Sequence, residues 1–353
     1  MASEPVIVVG AGIIGASIAW HLTEAGASVV ALSSKQGGVA TPSSFGWINA
    51  SWGNPEFYCR FRIHAMNEWG RLAQAVPGVQ FSRCGGICWD LPPPKLEDYA
   101  REHSAWGYNI RRIDREEIAR LEPNLTGLPD FALHAVEEGA AEPMAAAIAL
   151  IADAERRGAT ILTGVHATAL VSKGGRMAGV VTTAGEIAAS RVVLAAGTDT
   201  ARLASSVGID IPLEAPPGLL VHSRPAPKAL NGLVMADKAH IRQTREGRIV
   251  AGSDFGGTDP GGEANKAAAE LFAAVQALLP NVYLEMDFHT VGYRPTPKDG
   301  FPIVGPTDCA GLYVAALHSG VTLAPLVGRL AAAEILTGES ELMLDPYRLS
   351  RFA

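Results

Sequence analysis

The chain is short of several things, and each scarcity narrows what it can be. Its 353 residues include four cysteines, Cys59, Cys84, Cys88 and Cys309. None has zinc-type spacing, and Cys84-Gly85-Gly86-Ile87-Cys88 holds one residue too many for a thioredoxin-like pair, so free buried thiols and no metal are expected. Lysine and arginine number 29 against 36 aspartates and glutamates, a net charge of −7. Arg111-Arg112 and Arg156-Arg157 are isolated pairs rather than a basic stripe, which excludes a nucleic-acid partner. No window reaches about eighteen uninterrupted apolar residues. The most apolar region, Leu312 to Leu336, is broken by His318, Pro325 and Arg329, so no membrane span is expected. Only Met1 to Pro5 precede the first strand, which leaves no room for a secretory signal and points to a cytoplasmic protein. Internal repeats and low-complexity tracts are lacking too.

What is present is a composition with 48% hydrophobic and 18% charged residues, enough for a soluble chain with a real core and two domains of ordinary size. Pro5 to Val9 reads as a buried strand and Ala16 to Leu22 as a helix ending near Gly26. Between them lies Gly10-Ala11-Gly12-Ile13-Ile14-Gly15. In a strand, turn and helix of this kind Gly10 permits the turn, Gly12 lets a pyrophosphate approach the backbone, and Gly15 lets the helix pack on the strand. The anion sits at the helix N-terminus. A second strand, Ser28 to Leu32, follows and strengthens the dinucleotide reading.

The second strand ends at Ser33 and Ser34, where a dinucleotide fold usually places an acid against the ribose. Lys35 beside it raises an NADP reading. The loop Gly37 to Asn49, with Thr41, Ser43 and Ser44 closed by Phe45 and Trp47, suits backbone amides and hydroxyls laid along a phosphate or polyol, with a ring beside a flat cofactor. Glu56 to Val76 has Phe57, Phe61, Met66, Trp69 and Leu72 at helical spacing and reads as a core-facing helix. Cys84 to Asn109 reads as strands and turns, with Pro92-Pro93-Pro94 breaking any helix. Asp114 caps a short helix stopped by Pro123. Pro143 opens a helix to Arg157. Thr168 to Ser172 and Met177 to Thr182 form a hairpin turning at Gly174-Gly175, and Ser190 to Thr198 is a buried strand that brings Ala196 and Gly197 to the nucleotide. From Pro212 to His289 the pattern is β-rich. Alternation there places His240 and Arg242 on one strand face.

Near the C-terminus stand Gly292-Tyr293-Arg294-Pro295-Thr296-Pro297 with Asp299-Gly300-Phe301-Pro302-Ile303-Val304-Gly305, and then Leu312 to Pro325 with His318-Ser319-Gly320-Val321-Thr322. Together with Gly10 to Gly15, Thr41 to Asn49, Gly139 to Pro143 and Ala195 to Gly197, these motifs resemble the FAD-dependent D-amino-acid oxidase superfamily. The kin they are most similar to are the glycine oxidase, sarcosine oxidase and D-amino-acid dehydrogenase branch. The resemblance covers nearly the whole chain.

That resemblance implies an α/β fold of the glutathione-reductase type: a Rossmann-like FAD-binding domain (1–80, 135–215, 289–353) and a substrate domain of antiparallel sheet plus helices (81–134, 216–288). It implies that Gly10, Gly12 and Gly15, with Ile13 and Ile14, hold the FAD pyrophosphate. Ser43 and Ser44 would meet phosphate or ribityl oxygens. Ser319, Gly320, Val321 and Thr322 would present a helix N-terminus to the flavin pyrimidine edge, where a reduced flavin is anionic. Arg294 matches the arginine that clamps a substrate carboxylate through its planar fork, with His318, His240 and Arg242 as further contacts. Ser33 stands where the family carries an acid, and no Cys or His marks a covalent flavin link, so FAD is expected non-covalently bound. The activity implied is oxidation of an amine or amino-acid C–N bond, with oxygen or another acceptor taking the electrons. The alternatives are a flavin-bearing subunit of a homo- or hetero-oligomeric dehydrogenase, or an NAD(P)-dependent dehydrogenase.

Overall fold

The structure, a computed structural model, describes residues 4–50, 53–253 and 259–353. Apolar β-branched runs form a six-stranded sheet in the spatial order Ile303–Pro306, Leu312–Ala316, Val192–Leu194, Val6–Val9, Val29–Ser33 and Thr160–Thr163. All neighbours are parallel except the edge pair Ile303–Pro306 with Leu312–Ala316. The strands Val6–Val9 and Val192–Leu194 are buried at every position, as a parallel sheet covered on both faces requires.

The first helix, Ile13–Glu24, lies between the last α-helix, Gly320–Thr337, and the helix Pro143–Arg156. Small residues set this spacing: a Cβ on Gly328 would fall 2.2 Å from Ser17 Oγ, and Ser17 donates instead to the Ala324 carbonyl at 2.7 Å. Gly320–Thr337 is long and apolar enough to cross a membrane, and two thirds of it is buried inside the protein. It is the helix in which Pro325 and Arg329 interrupt the apolar run, and Arg329 reaches out to Glu68 at 2.9 Å.

A second sheet has eight strands in the order Met286–Tyr293, Pro217–Ser223, Ile249–Gly252, His240–Gln243, Leu233–Met235, Gly86–Cys88, Phe131–Ala135 and Ile110–Asp114. It is antiparallel but for the Leu233–Met235 to Gly86–Cys88 pair. Met286–Tyr293 runs past the border expected at 288/289, because its pairing with Pro217–Ser223 continues to Tyr293. A small sheet of Trp47–Ile48, Gly139–Ala141 and Phe81–Ser82 joins the two large ones. The hairpin expected around Gly174-Gly175 is present as Ala167–Lys173 and Arg176–Thr182, with Gly185–Ala188 as a third strand.

One expectation fails. The triple proline does not break a helix; it starts one, Pro93–Ala105, with Pro92 as its N-cap. Proline's missing N–H is no loss in a first helical turn. Asp114 caps the helix Arg115–Leu121 by accepting from the Glu117 amide at 2.8 Å. Phe57, expected in the core with the rest of its stripe, is 46% exposed. Cys84 is partly exposed, while the other three thiols are buried.

Candidate active site

The first helix begins at Gly12 without a side-chain cap, and Gly12, Ile13 and Ile14 line a cavity of about 1890 Å³ that is partly open to solvent. Thr41 Oγ1 accepts from the Ile13 amide at 3.1 Å. Gly15 lies behind the turn, where a Cβ would sit 1.9 Å from the Gly10 carbonyl oxygen. Only glycine lets the helix press that closely on the strand end. Gly38, in the left-handed region at φ +82°, closes the turn from the other side, and a Cβ there would lie 2.7 Å from the Gly12 Cα. This surface of bare backbone at a helix N-terminus fits a pyrophosphate, because the exposed amides and the helix dipole both favour an anion.

The last α-helix starts in the same manner at the same cavity. Ser319, its N-cap, has a left-handed backbone at φ 59° and makes no capping bond. A non-glycine residue held there costs on the order of 1 kcal/mol, so its surroundings must impose it. Gly320, Val321 and Thr322 line the cavity beside it. Thr322 Oγ1 donates to the Trp47 carbonyl at 3.2 Å and accepts from the Asn49 amide at 3.4 Å. Trp69 Nε1 donates to the Val321 and Thr322 carbonyls at 3.1 and 3.2 Å.

The second helix, Glu56–Ala75, supplies both Trp69 and the one cavity residue that its periodicity hid. Arg62 is 3% exposed and still lines the cavity. Its Nε donates to the Asn49 carbonyl at 3.0 Å, its Nη2 to Asn49 Oδ1 at 2.7 Å and its Nη1 to Ser319 Oγ at 2.7 Å. Among the described residues no carboxylate pairs with it. The signal available in sequence was an arginine in register with Tyr58, Ala65 and Trp69 on an apolar helix face.

Ser43, Ser44, Trp47, Ala196 and Gly197 all reach the cavity. Trp47 is oriented by Nε1 donating to Glu138 Oε2 at 2.7 Å, and Ser44 Oγ is turned back to the Ala40 carbonyl at 3.1 Å. Ser34 lines the cavity and Ser33 does not. Ser33 is buried, pairs with Thr163 and donates its hydroxyl to the Lys35 carbonyl at 3.1 Å, so the turn itself consumes the group expected on a ribose. The segment 165–167, which no motif marked, lies along the same end of the cavity with Ser34 and Lys35.

The eight-stranded sheet roofs the opposite side with Gly218, Leu220, Gly252, Gly292 and His240, and Arg294 follows at the end of its edge strand. The Arg294 amide donates to the Pro216 carbonyl at 3.2 Å, and its Nη2 to the Pro217 carbonyl at 3.4 Å. His240 Nε2 meets Asp90 Oδ2 at 2.9 Å, with its ring edge-on to Trp47. Arg242 is the correction. It shares a strand face with His240, but its side chain is 4% exposed and forks onto Glu142 at 2.8 and 3.1 Å, with Nε donating to the Phe45 carbonyl. Arg242 does not line the cavity; it fastens the roof to the Phe45 loop.

His318 borders the cavity between the two sides. Burial, reinforced by the Arg294 and Arg62 charges, pushes its pKa down to about 4. A neutral imidazole results. Ser319 Oγ, already accepting from Arg62, lies 3.0 Å from His318 Nδ1, which suits a hydroxyl proton donated to Nδ1 and leaves the remaining proton on Nε2. Arg62, Ser319 and His318 thus form one polarised chain along the cavity wall.

The model of the FAD dependent oxidoreductase family matches residues 5–334. Glycine oxidase of Pseudomonas putida is 27% identical over 98% of this chain and 97% of its own. An opine oxidase subunit of Rhizobium meliloti is 26% identical over 98% and 96%. The crystal structure of L-proline dehydrogenase from P. horikoshii superposes with a TM-score of 0.87 at 24% identity, covering 99% of this chain and 98% of that one. A carrier of FAD is therefore what the two uncapped helix starts and the glycine-lined cavity serve, and the NAD(P) alternative falls away: this chain belongs to the family of FAD dependent oxidoreductases.

Proposed function

We propose that the protein oxidises the C–N bond of an amine or amino acid, with FAD held non-covalently along the cavity. The bound flavin supplies the hydride acceptor, and the imine product is hydrolysed by water. Gly10, Gly12, Ile13 and Ile14 hold the pyrophosphate, with Gly15 setting the turn behind them. Ser34, Thr41, Ser43 and Ser44 meet the adenosine and ribityl portions, with Ala196 and Gly197 beside them. Trp47 and the run Ser319 to Thr322 face the ring. The FAD-binding part comprises 1–80, 135–215 and about 294–353, and the roof comprises 81–134 and 216–293. The compartment we assign is the cytoplasm.

The observation that carries this reading is that two uncapped helix N-termini and Arg294 face one cavity from opposite sides. That arrangement places a carboxylate on the roof and the anionic cofactor on the floor, with the substrate Cα between them. The roof's guanidinium binds and orients the carboxylate, and His240 and His318 bound the amine side. Little proton transfer is asked of the protein when the amine is neutral, so positioning and electrostatics dominate. Anaerobic mixing of flavin-loaded protein with D-, L- and N-alkyl amino acids tests it: one class must bleach the flavin band. Bleaching by none of them would refute the reading.

A second reading is a flavin-bearing subunit of a hetero-oligomeric dehydrogenase. A relative named as one subunit of an oxidase supports it, as does the edge strand Met286–Tyr293, which leaves Met286, Phe288 and Tyr293 exposed. Co-elution with a co-encoded partner that activates an otherwise inert chain would favour this form.

A further inference from the structure

We infer that Arg62 is an electrostatic partner of the flavin and sets its reduction potential. The inference rests on the proposed seating of the ring at the start of the last α-helix. Arg62 is a buried guanidinium at the cavity wall, held by three neutral acceptors, the Asn49 carbonyl, Asn49 Oδ1 and Ser319 Oγ. With no carboxylate paired to it among the described residues, it brings a full positive charge to that wall. Burying a cation without a counter-ion is costly. It is tolerated where a ligand supplies the negative charge.

Two ligands could supply it, a substrate carboxylate or the reduced ring. The structure favours the ring. Every partner of Arg62 belongs to the floor: Asn49 follows the strand Trp47–Ile48, and Ser319 is the N-cap of the last helix. Arg294, the cation suited to a carboxylate, belongs to the roof. Arg62 and the helix dipole therefore act in the same direction at the same place. In the reaction the substrate carbon loses a hydride, two electrons and one proton, and becomes an iminium carbon. The acceptor ring gains that hydride and passes from neutral to anionic. A fixed cation beside it stabilises the second state and leaves the first unaffected. The chain Arg62 to Ser319 to His318 extends the effect to the substrate side, because the same cation helps keep His318 neutral.

The test is the midpoint potential of the flavin-loaded protein, measured by anaerobic dye equilibration for the parent, Arg62→Met, Arg62→Gln and Arg62→Lys. For a charge several ångströms from the ring in a partly buried site, either neutral variant lowers the ratio of reduced to oxidised flavin at fixed ambient potential by about 30–100-fold. For a two-electron couple that corresponds to about 44–59 mV in the negative direction. Arg62→Lys recovers most of the shift because it restores the charge, although it loses the fork. The spectrum of the reduced protein against pH is the second readout: without the cation the reduced ring takes up a proton at higher pH than in the parent. A flavin-loaded Arg62→Met or Arg62→Gln protein with the parent's potential overturns the inference alone. A parent protein that takes up no FAD overturns the seating and this inference with it.

Discussion

Replacing Arg294 separates substrate recognition from cofactor binding. The residue closes the edge strand of the roof, its backbone fixed by the amide bond to Pro216 and by the pairing of Tyr293 with Pro217. Arg294→Ala therefore removes a side chain without freeing the strand. The lost contact is a charge-assisted fork on a carboxylate in a partly buried cavity. Breaking a desolvated pair costs about 3–5 kcal/mol, and a half-buried arginine belongs at the lower end. Flavin reduction by a subsaturating amino acid falls about a hundredfold, at 1.4 kcal/mol per tenfold. FAD stays bound, because its proposed contacts lie on the floor. Arg294→Lys recovers little, since a point charge does not reproduce two parallel bonds. Removing the cation also lets the His318 pKa rise from about 4, because Arg294 is among the charges that depress it. Anaerobic stopped-flow with a reactive amino acid and its decarboxylated amine reads the outcome. An equal loss for both would show that Arg294 only supports the roof and would refute the carboxylate clamp.

Gly15→Ala drives a methyl into the Gly10 carbonyl and destabilises the fold by at least about 1–3 kcal/mol, read as a lower urea midpoint. Gly38→Ala strains a left-handed position against Gly12 and weakens FAD binding, measured by the flavin retained through gel filtration. Arg242→Met leaves Glu142 without its partner at a cost of about 3 kcal/mol, yet the apparent Kd for substrate is unchanged in the folded fraction; a large rise in that Kd would return Arg242 to the substrate site. His21 is pushed from 6.5 down to about 4, chiefly by burial, with Nδ1 against the Ser17 carbonyl and Nε2 receiving Arg71. The unfolded chain takes up this proton near pH 6.5 and the folded one near 4. The stability His21 contributes is therefore complete above about 6.5 and drains as pH falls toward about 4, about 3 kcal/mol in all. His21→Gln flattens that part of the acid-unfolding curve followed by circular dichroism, and an unchanged slope would contradict the assignment.

The parts of the molecule legible in sequence are those set by local chemistry. Val6–Val9 and Val192–Leu194 announce themselves as buried apolar runs, and the glycines of the first turn by their spacing. Asp114 and Pro143 mark helix starts through capping and the missing N–H. Where a residue's role depends on a distant partner the sequence is silent. Alternation put His240 and Arg242 on one face, but Glu142, a hundred residues away, decides that Arg242 is a fastening. Ser33 had the right position for a ribose contact until the turn to Lys35 took its hydroxyl. Arg62 was concealed by its own stripe, since an amphipathic pattern identifies a buried face without revealing that a cavity opens behind it. The triple proline misled because the same residue that ends a helix from inside begins one from its first turn.

Charge distribution explains how an acidic chain builds a site for anions. The net charge of −7 is spread over a surface laced with ion pairs, while the cavity wall gathers Arg62, Arg294 and two helix N-termini, each terminus worth roughly half a positive charge. His318 sits between the two arginines and yields its own charge to them. Such a wall attracts a pyrophosphate and a carboxylate and repels an ammonium group. An amine oriented there by its carboxylate is pressed toward the neutral form, the form whose lone pair drives hydride departure from the adjoining carbon. The same field that holds the cofactor thus prepares the substrate, and no separate general base is required of His318, whose imidazole is kept neutral by burial and by the two guanidinium charges.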